Sequence, residues 1–169
     1  MKTAILNWQT GAVIHEFDAP EGTPPERALG LAAEDAVQKG VSLAFADLRD
    51  ADLSEILLPG ADLRYADISR SRLSAAGVWD SDLTGAKAVD VMADFCSLQR
   101  SILVDVDFTN ADLSDSLMEF ANCRGTIFNN ASLFRAEMSC TDLADVEFSN
   151  TIMPSGLRAE PDACASAPH

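Results

Sequence analysis

The chain has 169 residues, with 27 Asp+Glu against 12 Lys+Arg and a formal net charge of −15. Its 47% hydrophobic content suffices for one domain with a buried core and excludes the apolar-poor class of disordered chains. The acidity speaks against direct binding to nucleic acid or to an anionic membrane surface, which would repel it, and leaves positively charged partners open.

From Met1 to Gln9 there is one basic residue and an apolar run far too short for a signal peptide or a membrane span. A cytoplasmic protein with no membrane contact is therefore expected. Ala4-Ile5-Leu6 and Ala12-Val13-Ile14 flank Gln9-Thr10-Gly11 and read as a short hairpin, followed by a loop from Asp18 to Pro25. A helix comes next. Thr23 and Glu26 have capping-box spacing, Pro24 and Pro25 suit a first turn, and Gly40 suits the end. Leu29, Ala32, Ala33, Ala36 and Val37 share one apolar face, which needs a partner. Residues 1–40 are thus expected to be a hairpin and helix that cap the remainder of the chain.

That remainder is a repeat of period five, visible in Ala46-Asp47-Leu48, Ala51-Asp52-Leu53, Ala61-Asp62-Leu63 and Ala66-Asp67-Ile68. Stepping by five from Leu43 to Met153 meets 23 positions, and all are apolar. Two residues before each lies a residue that is Ala, Ser, Thr or Val at all but two places, the exceptions being Cys96 and Ile56. A helix repeats every 3.6 residues and a strand every 2, so neither puts one large and one small residue inward every five. A coiled path with a turn in each pentad does.

These tandem Ala-Asp-Leu units resemble the pentapeptide repeat family over residues 41–155. The resemblance implies an all-β solenoid, a right-handed quadrilateral β-helix in which four pentads make one coil. At about 4.8 Å between stacked backbones, the 5.75 coils would make a rod about 27 Å long. On that template Leu48, Leu53, Leu63, Phe108, Phe128 and Phe148 are structural core. One face stacks Leu48, Ile68, Ala88, Phe108, Phe128 and Phe148, and Ala88 and Ala93 are consecutive undersized centres that Phe95 or Met92 could fill by swinging inward. Asn110, Asn130 and Asn150 recur at one corner, where amides can bond turn backbone or one another. Residues 156–169 lack any apolar period and read as a flexible tail. Leu157 folding back over Met153, or end-to-end pairing of two rods, would cover the last coil, so monomer and homodimer both stay open.

Catalysis needs a nucleophile with a base, paired acids in a cleft, or a metal, and the chain has only His15 and His169. No C-x-x-C pair exists among Cys96, Cys123, Cys140 and Cys164, and the first two occupy inward repeat positions. Reduced thiols, no enzyme, and no metal or cofactor site are expected. Two functions remain. One is a rigid protein-interaction or scaffold module. Its contact face would be the least charged one, carrying Leu57, Trp79, Leu117 and Phe120, with Phe95 and Phe134 adjoining. The other comes from the resemblance: some family members imitate a DNA duplex and bind a type II topoisomerase, DNA gyrase or topoisomerase IV. Residues 41–155 carry 19 acids and 8 bases, net −11, spread as −3, −3, −3 and −2 over the four faces. A duplex carries about 16 charges over about 27 Å, so this surface is diluted by comparison.

Overall fold

The computed structural model describes residues 2–154, and its regular core grows from one local event repeated every five residues. The carbonyl of a central residue accepts the N–H three residues on, as Leu43 does from Ala46 (3.0 Å) and Phe108 from Ala111 (3.0 Å). The third residue of each turn has positive φ, from Phe45 at 61° to Asn150 at 56°, as a type II turn requires. Each turn bends the chain through one corner, and four bends bring it back above its start. The parallel bridges record that return, since every one joins residues 20 apart, from Asp47 and Asp67 to Ser132 and Ile152.

Successive coils are tied by two series of backbone bonds. Leu48 N–H donates to the Asp67 carbonyl (2.8 Å), and Asp67 N–H donates back to Ala46 (2.9 Å). The bridges are single-residue contacts rather than long strands, because a corner interrupts the pairing in every pentad. The result is the β-helix solenoid, with its interior filled by the central and small residues. Leu48, Leu53, Leu63, Phe108 and Phe128 are buried, and Phe148, in the last described coil, is only partly so. Phe108, Phe128 and Phe148 stack with centroids 5.6 Å apart and rings tilted by 3° and 9°. Where the small residue is hydroxylic, its proton goes to an interior carbonyl, as from Ser101 to Val78 (2.9 Å) and Thr126 to Leu103 (2.7 Å), except at Ser116, whose buried hydroxyl has no partner. This satisfies polar groups that would otherwise be costly to bury.

Phe95 and Met92 do not fill the space beside Ala88 and Ala93, contrary to expectation; both side chains are exposed. Phe95 holds the positive-φ corner (56°) and Met92 precedes a central residue, and both backbone positions direct side chains outward. The Asn corner follows the expectation at its upper end, where Asn150 donates to Asn130 (3.1 Å), but Asn110 donates instead to the Asp90 carboxylate of the coil below (2.9 Å).

The N-terminal residues form β1 (Lys2–Leu6), β2 (Val13–Asp18) and α1 (Pro25–Gln38). β1 and β2 pair antiparallel, and the turn between them is held by Asn7, whose Oδ1 accepts from Gln9 (2.9 Å) and Thr10 (3.0 Å). The expected capping box does not form. Pro24 occupies the N-cap, so Thr23 stands one residue outside the helix and no side chain caps it. The other end is as expected, with Gly40 at φ 70° and bonds from Gly40 to Val37 (2.9 Å) and from Val41 to Ala36 (2.9 Å), a Schellman motif.

Hairpin and helix sit on the first coil through edge N–H groups. Asp47 donates to the Leu6 carbonyl (2.7 Å) and Asp52 to the Glu26 carbonyl (3.0 Å). Leu57 N–H donates to Glu34 Oε1 (3.2 Å). Ala28, Gly30, Ala32, Ala33 and Ala36 form the buried face of α1. Gly30 is required by the closeness of the approach, because a Cβ there would run into the Asp52 carbonyl. The expectations for residues 156–169, including Leu157, lie outside the described residues.

Candidate interaction surface

The solenoid's acids are mostly occupied by local structure. An Asp before a central residue accepts the N–H of the residue after it, as Asp67 does from Ser69 (3.1 Å), Asp82 from Thr84 (2.9 Å) and Asp107 from Thr109 (3.0 Å). This side-chain turn pins each corner and explains why Asp recurs in the repeat. Arginines then neutralise many of the carboxylates. Arg49 forks onto Asp47 (2.7 and 2.6 Å), Arg64 onto Asp62 (2.7 and 2.9 Å), Arg70 onto Asp50 (2.8 and 2.8 Å) and Arg100 onto Asp80 (2.7 and 2.7 Å). The Arg64 guanidinium holds the Asp62 carboxyl at about 2, and the Arg70 and Arg100 forks lower Asp50 and Asp80.

The face expected to make contacts runs up the rod through the centres Leu58, Val78, Leu98, Met118 and Met138. Its lower end is Leu57, 49% exposed, whose N–H is held by Glu34 of α1. Trp79 is only half-buried rather than free, because its ring lies flat over Gly77 and occupies the place of a Cβ there. Leu117 (37% exposed) and Phe120 (64%) stand clear in the fourth coil. On the adjoining corner Phe95 (61%) lies one coil below and Phe134 (50%) one coil above. The structure therefore separates Leu57 and Trp79 from the upper group by Gly77 and Ser97, which bridge in sequence between Leu57 and Leu117.

Other groups capable of chemistry are tied up or isolated. His15 Nε2 lies 2.6 Å from Asp35 Oδ2, which also receives Lys39 Nζ (2.7 Å), so this trio links β2 to α1. Burial pushes the Cys96 and Cys123 thiols up to about 12, while Cys140 is exposed and Cys164 lies outside the described residues. A groove of about 440 Å³ runs between β1, Leu29 of α1 and the Arg49–Asp47 and Arg70–Asp50 pairs, with both arginines already engaged. Among the described residues there is no group of three or more His, Cys, Asp or Glu able to hold a metal ion. Nor, among them, is any helix long and apolar enough to cross a membrane.

The sequence family model for pentapeptide repeats matches residues 39–76, 80–119 and 116–153, in eight copies. The chain belongs to the pentapeptide repeat family. No curated protein sequence matches it closely enough to count as a relative. Among solved structures, it resembles HetL of the cyanobacterium Nostoc sp. strain PCC 7120, a pentapeptide repeat protein involved in heterocyst differentiation regulation. The two are 29% identical with a TM-score of 0.67, over 69% of this chain and 54% of HetL, so the likeness spans about half of HetL. It also resembles Rfr23 of Cyanothece 51142, 21% identical with a TM-score of 0.52, over 58% of this chain and 64% of Rfr23. QnrB1, a plasmid-mediated fluoroquinolone resistance protein, aligns at 20% identity over 62% of this chain and 61% of its own. Its TM-score of 0.26 is too low to carry an argument.

Proposed function

We propose that this pentapeptide repeat protein is a non-enzymatic interaction module that presents one face of a rigid acidic rod to a protein partner. The face is the one bearing Leu57, Trp79, Leu117 and Phe120. The observation that carries this reading is the exposure of Leu117 and Phe120 side by side on a backbone that holds them rigidly, in a molecule whose other outward positions are largely charged or polar. Rigid aromatic and aliphatic anchors bind at low entropic cost. In this reading residues 1–40 cap the first coil, which would otherwise be an open strand edge. Residues 41–155 are a right-handed quadrilateral β-helix of 23 pentads, residues 156–169 a tail, and the thiols belong to the reducing cytoplasm.

The test is replacement of Leu117 and Phe120 by Ser, with Val104 and Thr109 on other faces replaced as a control, followed by quantitative recovery of bound proteins. A partner lost with the first pair and kept with the second supports the face. Recovery of every partner by both variants removes it. A second reading, occupation of the DNA site of gyrase or topoisomerase IV, rests on the net charge of −11 over residues 41–155. The Asp–Arg forks weaken it, since a duplex carries no such internal neutralisation.

A further inference from the structure

The upper part of this face has a chemistry that specifies its occupant. Leu117 bridges Ser97 below and Glu137 above, which fixes its place at mid-face. Phe120 stands three residues later, at the end of the same pentad. Phe95 precedes Ser97 by two residues in the coil beneath, and Phe134 precedes Glu137 by three in the coil above. Phe95 and Phe134 stand at the corner that opens this face, about 10 Å apart along the rod, and Phe120 stands at the corner that closes it, with Leu117 between the two corners. All four are exposed, and they group on one face and its two corners, more densely than single scattered surface hydrophobics.

The rim is negative. In the same three coils this face and the adjoining one that carries Phe95 and Phe134 hold Asp94, Asp112, Asp115, Glu119 and Glu137 against Arg100 and Arg135. Neither arginine is free to meet a ligand carboxylate: Arg100 forks onto Asp80 (2.7 Å), and Arg135 lies 3.0 Å from Asp115. Glu119 receives only the neutral Gln99 amide (3.0 Å). An apolar patch with uncompensated carboxylates at its edge is complementary to an apolar stripe flanked by cations. An anionic lipid surface is repelled by the same charges.

We propose that the patch of Phe95, Leu117, Phe120 and Phe134 docks a basic amphipathic protein segment, with its aliphatic or aromatic anchors on the rings and its Lys or Arg side chains against Glu119 and Glu137. This rests on the interaction-module reading and adds the partner's chemistry to it. The apolar residues supply the short-range attraction and the carboxylates select the sign of the partner's charge.

The experiment titrates the full chain with synthetic amphipathic helices of Leu and Lys, and of Leu and Glu in the same pattern, at physiological salt. The readouts are calorimetry and amide chemical shifts. The Leu/Lys peptide is expected to bind and to shift the amides around 95–100, 117–120 and 134–137. Affinity should fall at least tenfold in Leu117→Ser/Phe120→Ser/Phe134→Ser, whose net charge is unchanged. Thermal melting of that variant checks its fold, and Glu119→Gln/Glu137→Gln, which leaves the apolar residues in place, should lose affinity several-fold and much of its salt dependence. Equal binding of the Leu/Glu peptide at the same amides would overturn the partner's chemistry while leaving the contact face intact. Undiminished binding by the triple Ser variant would overturn the face as well. A dimer of the wild type that the triple Ser variant abolishes, or adsorption to neutral phosphatidylcholine vesicles through the same residues, would assign the patch to a second copy or to lipid and overturn the proposal.

Discussion

Asp62 shows how a single acidic residue serves the fold. Its carboxylate accepts Arg64 Nε and Nη2 (2.7 and 2.9 Å) and the Ser42 hydroxyl (2.6 Å), and its pKa sits at about 2. A folded-state pKa below the unfolded value means that the stabilisation is complete above about pH 4 and is lost as pH falls through about 2. Asp62→Asn should therefore cost up to about 1 kcal/mol at neutral pH, given the exposure of the guanidinium. The gap between variant and wild type in urea denaturation should close between about pH 4 and pH 2. A gap that persists at pH 2 would place the effect elsewhere. The positive-φ corners show the opposite, a local cost. Twelve of the 22 from Phe45 to Asn150 are Gly, Asn or Asp, and the other ten hold side chains that the left-handed region disfavours by about 1–2 kcal/mol. Ala75, exposed at φ 56°, is the simplest of these. Ala75→Gly should raise stability by about 0.5–1 kcal/mol, read as a higher melting temperature.

At the scale of elements, the helix and the Phe column give opposite lessons about legibility. The apolar face of α1 and its Gly40 end were readable, because helical spacing and a left-handed C-terminal glycine have local causes. Its start was not: Thr23 and Glu26 have the right spacing, but Pro24 takes the N-cap, and nothing local says which of two neighbours will. Gly30 was also opaque, since its need arises from a carbonyl 22 residues away. Gly30→Ala improves intrinsic helix propensity yet should lower stability by about 1–3 kcal/mol and speed hydrogen exchange across α1. A stabilised variant would mean the helix docks elsewhere. The core column was legible because every fifth residue is apolar without a break, and register is set by period alone. Phe128, buried between Phe108 and Phe148, should cost about 3–5 kcal/mol on replacement by Ala, measured by urea denaturation. The exposure of the proposed contact face was legible only in part. Repeat position tells which side chains point outward, but Trp79 lies down because residue 77 is a glycine, and that depends on the side chain's rotamer rather than on the period.

For the whole molecule, the acidity and the shape invite comparison with a duplex, but the carboxylates are arranged for the rod's own turns. They accept backbone N–H groups at the corners and are bridged by arginines within a coil or between neighbouring coils. Duplex phosphates are unpaired by the helix itself and spaced evenly along it. On the proposed reading, the net charge serves solubility and the specific attraction comes from apolar side chains lifted clear of the charged surface. The most direct measurement is a gyrase supercoiling assay titrated with the full chain, beside a disordered acidic polypeptide of matched net charge. We expect no inhibition beyond that control at any concentration up to saturation of the enzyme. Inhibition at concentrations where the control is silent would contradict a structural role for the carboxylates and make them the binding surface.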